Sequence, residues 1–392
     1  MKISLVDTPK KAKLFLEVPR IIYKNDPVWV SPLDKEIENI FRPETNIFHS
    51  HGVIDRWILQ DSNDQLIGRI AAFVDHHKAS NFEQPTGGIG YFECINDFEA
   101  AKLLFDTAKT WLIAKGMKAM DGPINFGEND RYWGLLVEGF THPTIGMNYH
   151  PPYYQALFEK YQFATFFEQR TNMINMKIPF PERFNKISNW VANKEGNTFE
   201  HITLKNINKY VEDFKEIYND GWQFHEGFVP MTTQNAKENL EKLIPIMDEK
   251  LIWFAYVHNE PASFIVVMPD ANQLLKPFKG KLGVIEKIRF LYAKKFNRPD
   301  RLRVVVMGTK TRFQKLGLES ALFMKLHAYT FPQKHYDETE LSWVGDFNPK
   351  MQSIHDATGA YPAKKHITYR YVFDNPGVVQ KPKELIEKNR TE

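Results

Sequence analysis

Two periods of apolar residues alternate along this chain, one of two residues and one near 3.6, and each change of period marks an element. Ala12 to Tyr23 carries the helical period and ends at Asn25-Asp-Pro27. Trp57-Ile-Leu, the turn Asp61-Ser-Asn-Asp and Gln65 to Val74 predict a hairpin, and Thr86 to Ile95 a third strand. Phe98 to Lys115 places Ala101, Leu104, Phe105, Ala108 and Leu112 on one helical side, with Gly116 as the C-cap. A short helix near Tyr153 to Tyr161 and a strand near Thr171 to Ile178 follow, and Pro179-Phe-Pro181 breaks the pattern.

The series then repeats. Helices near Ile207 to Tyr218 and Gln234 to Met247 precede a second hairpin, Leu251 to Val257 and Ala262 to Met268. A strand from Leu302 to Met307, a helix from Gly317 to Tyr329 and a strand from Glu338 to Val344 come next. A short helix, Pro349 to Ala357, and a strand, Lys365 to Phe373, close the series. Both halves share one order: helix, hairpin, strand, long helix, strand, short helix, strand. Residue identities do not repeat; the order of elements does. A chain of 392 residues also exceeds one ordinary core. The expected fold is α/β, an α+β mixed sheet in two units, 1–178 and 179–375, with a charged tail over 376–392. Each unit is expected to be a mostly antiparallel twisted sheet flanked by helices.

Composition works mainly by exclusion. The net charge is +3 from 51 basic and 48 acidic residues, which gives no reason to expect a nucleic acid. The single cysteine, Cys94, rules out an intrachain disulfide and argues against a thiolate metal site. His49-x-His51 and His76-His77 lack companion carboxylates at ligand spacing, so no metal is expected. No apolar run reaches the roughly 18 residues of a membrane span and no secretory signal is evident, so the cytoplasm is the expected compartment. The basic helix from Lys281 to Lys295 carries Ile285, Ile288, Leu291 and Tyr292 on one side. That side is expected to pack on the domain, the alternative being contact with a membrane surface. The sequence leaves the oligomeric state open.

The stretch richest in chemistry runs from Arg303 to Phe323. A β-branched strand ending at Met307 gives way to Gly308-Thr-Lys310-Thr-Arg312-Phe-Gln314-Lys315-Leu and a helix starting near Gly317. Backbone N–H groups at a helix start, the helix dipole and a glycine can cradle a pyrophosphate, with Lys310, Arg312 and Lys315 as surrounding charge. An ordinary strand-to-helix connection with solvated cations accounts for the same residues.

Gln314-x-x-Gly317-x-Glu319 resembles the cofactor-binding motif of the GNAT acetyltransferase superfamily, Arg/Gln-x-x-Gly-x-Gly/Ala, at its first two anchors. Asn348 and Gly359 match the superfamily's second motif, with His355 where many members have a tyrosine that protonates the departing thiolate. The resemblance spans Ile207 to Phe373. It implies two GNAT-like domains in tandem, an acyltransferase, and acetyl-CoA or another acyl-CoA as donor. It further implies that Gln314, Gly317 and Asn348 contribute to the coenzyme site with Lys310, Arg312 and Lys315 around them. A strand amide near Val306 or Met307 would polarise the thioester, and His355, whose ordinary pKa lies near neutrality, would give the proton.

The loop Asn219-Asp-Gly-Trp222-Gln-Phe-His225-Glu226 falls where the superfamily forms one wall of its acceptor site. Trp222 would stack on the acceptor, a small-molecule or peptide amine, and His225 or Glu226 would take its proton; alternatively Trp222 and Phe224 are core. Glu319 departs from the motif. A carboxylate roughly 6 Å from a phosphate costs about 0.7–2.8 kcal/mol, unless its side chain points outward. The first half matches less well: Phe158 and Gln162 replace the tyrosine and glycine, and Glu93 and Asp97 flank its loop. It is expected to be framework or part of the acceptor site, with Gly122 to His150 covering a cleft between the halves. Two alternatives remain open: a tandem fold that binds without catalysing, and a transferase using an aminoacyl or acyl-carrier donor.

Overall fold

The computed structural model describes residues 1–79, 84–223 and 230–380. The first series runs β1 (Lys2–Leu5), α1 (Pro9–Ile22), α2 (Asp34–Ile40), β2 (Gly52–Gln60), β3 (Leu66–Asp75), α3 (His76–Ala79), β4 (Thr86–Cys94) and α4 (Phe98–Ala114). It closes with β5 (Ala119–Gly122), β6 (Leu135–Glu138), α5 (Tyr154–Lys160) and β7 (Ala164–Asn175). The second series opens with α6 (Glu182–Ala192), β8 (Asn197–His201), α7 (Ile207–Trp222), α8 (Thr233–Leu243), β9 (Ile252–Val257) and β10 (Glu260–Pro269). Two helices follow, α9 (Asn272–Leu275) and α10 (Val284–Phe296), then β11 (Arg301–Thr309) and α11 (Leu318–Thr330). It ends with β12 (Glu338–Glu340), β13 (Val344–Gly345), α12 (Pro349–Ala357) and β14 (Tyr361–Val372).

These strands make one sheet in the order β1-β2-β3-β4-β5-β14-β7-β12-β11-β10-β9-β8, with β6 beside β14 and β13 beside β7. Neighbours are antiparallel except β4 with β5 and β11 with β12. Each parallel pair is joined by a helical crossover, α4 or α11, as parallel neighbours require. The last strands of the two series are exchanged. β14 lies between β5 and β7, while β7 lies against β12.

Helices cover both faces of the sheet, which is why β3 is buried from Ile67 to Asp75 instead of alternating. On one face Ala101, Leu104, Phe105 and Ala108 of α4 pack with Phe92 and Phe158, the Phe92 and Phe105 rings stacking at 4.7 Å. On the other, Phe15 and Val18 of α1 lie under Ile58. In the second series α11 and α6 form one layer, with Leu322 and Phe184 in a shared core, and α7 and α8 form the other. Asp97 starts α4 by accepting from the N–H of Glu99 (2.8 Å) and Ala100 (3.4 Å).

Three differences from the sequence reading have physical causes. The stretch Glu338 to Val344 divides into β12 and β13, because after Glu340 the chain leaves β11 and stays with β7. Strands β1, β6 and β8 are too short for a period to mark them. The third concerns α10, whose apolar side does not pack on the domain: none of its residues is buried. Phe290, on the other side, packs beside Leu275 and Phe278. Among the described residues, no helix is long and apolar enough to cross a membrane.

Candidate active site

Both parallel pairs in the sheet are short. Thr86–Gly88 pairs with Ala119–Asp121, and Arg301–Arg303 with Glu338–Glu340, over three residues each, before the strands part. Each longer strand then bulges. Tyr91 and Phe92 of β4 together face Ile70, and Val305 of β11 falls at the step between Val266 and Val267. A bulge re-aims neighbouring groups and commonly lies beside a functional site. Helices α5 and α12 also end alike, at Gln162 (φ 73°) and Gly359 (φ 77°). Each series therefore holds a splayed strand pair with a helix start at its open end.

In the second series that start is Gly317. It holds φ 74°, the left-handed region that strains other residues, and an added Cβ would lie 3.3 Å from Val191 Cγ2. No side chain of the preceding residue caps α11, so the positive end of its dipole is available to an anion. The chain supplies one itself. Glu319 is buried, accepts a 2.8 Å hydrogen bond from the Thr309 hydroxyl, and takes its own backbone N–H; burial raises its pKa. Its carboxylate turns inward toward β11, not outward.

The remaining loop residues have partners of their own, several of them carboxylates. Lys310 is buried between Glu216 and Glu260, 2.9 Å from the latter, and Arg312 pairs with Glu260 as well. Asp220 accepts from the Thr311 N–H at 2.5 Å. Lys315 is exposed, and Lys350 of α12 donates to Gln314 at 3.1 Å, joining the two motifs. Asn348 caps α12 by accepting from the Met351 N–H at 3.2 Å. Val306 is half-buried and Met307 buried, just beyond the bulge of β11.

Trp222 stacks on Tyr218 at 4.7 Å and covers Gly308, where a Cβ would meet its ring at 2.3 Å. His225 and Glu226 lie outside the described residues. His355 is buried on α12 with Nδ1 3.0 Å from the Asn172 amide, and burial pushes its pKa down to about 4. Titration near neutrality is therefore not what this histidine does: it is neutral at pH 7, with one ring N–H to give.

The first-series wedge holds a buried polar cluster that sequence reasoning missed. Glu93 is buried within β4 and does not flank a loop. It accepts from Tyr154 at 2.8 Å and from Arg69 at 3.4 Å. Burial raises the Glu93 pKa and lowers that of Arg69. A cavity of about 50 Å³ remains there, lined in part by Trp29, Tyr91, Tyr132 and His150. The signal that marks the cluster is a lone charge inside each of two apolar strands, Ile67-Gly-Arg69-Ile and Tyr91-Phe-Glu93-Cys. Asp97 caps the start of α4, whereas the N-cap residue of α11, Gly317, has no side chain to do so.

The segment from Gly122 to His150 crosses from one series to the other. Arg303 donates to Asp130 O (3.2 Å), Trp343 to Asn129 O (2.9 Å) and Arg301 to His142 O (2.8 Å), while Asp270 accepts from the Ile145 N–H (3.1 Å). A larger cleft, about 550 Å³, is bounded by Pro269, Lys294, Arg298 and Tyr336, at the end of β10 and β11 away from Gly317. His51, Asp75 and His77 place one ligand-type atom each within 4.8 Å of one another. The two imidazoles stack at 4.1 Å and 10°, however, so their in-plane lone pairs lie in parallel planes and do not converge on one ion.

No family model matches the chain. Its continuous sheet with two splayed strand pairs is a tandem GNAT-like fold. A tandem GNAT protein from the clavulanic acid biosynthesis pathway has this fold, with a TM-score of 0.55 over 97% of this chain and 100% of its own at 11% identity. Two curated relatives span nearly the whole chain. Protein YghO of Escherichia coli (strain K12) is 27% identical over 367 residues, 91% of this chain and 92% of its own. The bacterial ceramide synthase of Caulobacter vibrioides (strain NA1000 / CB15N) is 28% identical over 374 residues, 93% of this chain and 95% of its own.

Proposed function

We propose that the chain is an N-acyltransferase that moves an acyl group from a coenzyme A thioester to the amine of a long-chain acceptor by direct attack. The observation that carries this reading is the glycine-led start of α11, uncapped by its preceding residue, at the open end of the bulged strand β11. The class of acceptor follows from the relative called a ceramide synthase: a ceramide is the amide of a long-chain amino alcohol.

In this proposal the amides at Gly317 and Leu318 hold the donor's pyrophosphate, with Lys315, Lys350 and Gln314 beside them. An N–H of β11 near Val306 or Met307 receives the charge that develops on the carbonyl oxygen. The amine nitrogen bonds to the carbonyl carbon as the carbon–sulfur bond breaks. The amine's proton passes to His225 or Glu226, which follow Trp222 in the chain, while the departing thiolate accepts a hydrogen bond from the neutral His355 ring and takes its proton from water. The fold divides near residue 178 into an acyl-donor half and a framework half that have traded their last strands.

Incubation with acyl-CoAs of graded length and a long-chain amine should release free thiol and form amide in equal amounts. Titration calorimetry should give about one coenzyme site per chain, lost in Gly317→Glu and unchanged in Asp97→Asn. Absence of both amide and coenzyme binding would overturn the proposal.

A second reading has its own support. Asp220, Glu216, Glu260 and Glu319 supply the loop with carboxylates, which oppose a pyrophosphate and so favour a donor without one, such as an acyl-carrier thioester. Amide formed from an acyl-carrier protein but from no acyl-CoA would select it.

A further inference from the structure

We propose that α10 is a membrane-docking helix that seats the protein on bilayers bearing anionic headgroups. Val284, Ile285, Ile288, Leu291, Tyr292 and Phe296 are each 60–75% exposed along its 13 residues. At about 100° per residue they fall within an arc of about 140°, on a rod about 20 Å long. Phe290, on the opposite side, fastens the helix to the domain beside Phe278. The apolar arc is thus turned away from the core, and a contiguous patch of this kind marks an interaction surface.

The charges around the arc select its occupant. Lys287 and Arg289 border it on either edge, at about 100° to each side of Ile288. Lys281 precedes the helix and Lys295 lies near its end, both exposed. Glu286 is the one acidic residue between 281 and 298, and it falls on the inner side. A basic rim around an apolar face carrying a tyrosine matches a layer of lipid phosphates above acyl chains. The inference rests on α10 alone and goes beyond the acyl-transfer reading, since it holds whatever donor and acceptor the site takes.

The test is flotation of the full chain with phosphatidylcholine vesicles, with or without phosphatidylglycerol, at low and high salt. The chain should float with the anionic vesicles, less so at high salt. Ile288→Glu/Leu291→Glu and Lys287→Glu/Arg289→Glu should each lower partitioning on the order of tenfold or more. Trp190→Glu, which alters a side chain 66% exposed on a different helix, should float like the parent. Failure to float, or flotation unchanged in both double variants, would overturn the proposal. So would a dimer in light scattering that Ile288→Glu/Leu291→Glu returns to monomer, because the face would then belong to a second copy. Partitioning is read without turnover, so its outcome is separate from that of the acyltransferase assay.

Discussion

Glu319 stands where the GNAT motif that this stretch resembles has a small neutral residue, and its carboxylate satisfies the helix start from within. Glu319→Gln keeps the shape and the hydrogen-bonding reach to Thr309 while removing the charge. If the pyrophosphate binds at Gly317, about 6 Å away, coenzyme affinity should rise about 3- to 100-fold, measured by calorimetry at constant salt. Unchanged affinity would move the phosphate site away from α11. Buried histidines give a second expectation. Burial lowers the pKa of His355 to about 4, of His366 to about 4 and of His150 to about 3. All three stay neutral in the fold well below pH 6.5, whereas the unfolded chain takes up protons as the pH falls past that value. Their contribution to stability is intact above pH 6.5 and is lost below it, by roughly 2 kcal/mol per histidine at pH 5. Urea unfolding at pH 7 and pH 5 should show the drop, and His355→Gln should reduce it by one histidine's share. Equal stability at the two values would contradict the burial.

At the scale of elements, β14 and β12 are tied through a fully buried pair. Lys364 Nζ lies 2.9 Å from both oxygens of Glu340, and the Thr171 hydroxyl donates to the same carboxylate at 2.9 Å. Lys364→Met alone strands a buried carboxylate and should cost about 3–5 kcal/mol. Lys364→Met with Glu340→Leu should recover most of that loss. A single variant as stable as the parent would mean that water reaches the pair. This contact also shows where sequence reading stops. The long helices α4 and α11 and the hairpins β2–β3 and β9–β10 follow from period and turn residues, so the repeat is legible in the linear order of elements. The exchange of β7 and β14 is not, because either pairing gives these strands the same local pattern. The site divides in the same way. Gly317 and Gln314 stand out by spacing, but the carboxylates that hold Lys310 come from Glu216 and Glu260, 94 and 50 residues away. Proximity of that kind is set by tertiary packing and leaves no mark on the local sequence.

For the whole molecule, the exchanged strands make each series dependent on the other. Residues 1–178 alone would leave β5 and β7 with open edges, since β14 pairs with both, and exposed edges promote association. Each half expressed by itself should therefore be aggregated or poorly folded, and co-expression should return a complex with the circular dichroism and single unfolding transition of the intact chain. A half that unfolds cooperatively on its own would show that the exchange is dispensable.

The central place of β14 also sets a clock during synthesis. Its final residue is Val372, 197 residues after the end of β7 at Asn175. At about 5–20 residues per second, the ribosome needs roughly 10–40 s to cover that distance. Through that interval the nascent first half waits with its sheet unfinished, which makes it a natural client for chaperones that shield unpaired strands.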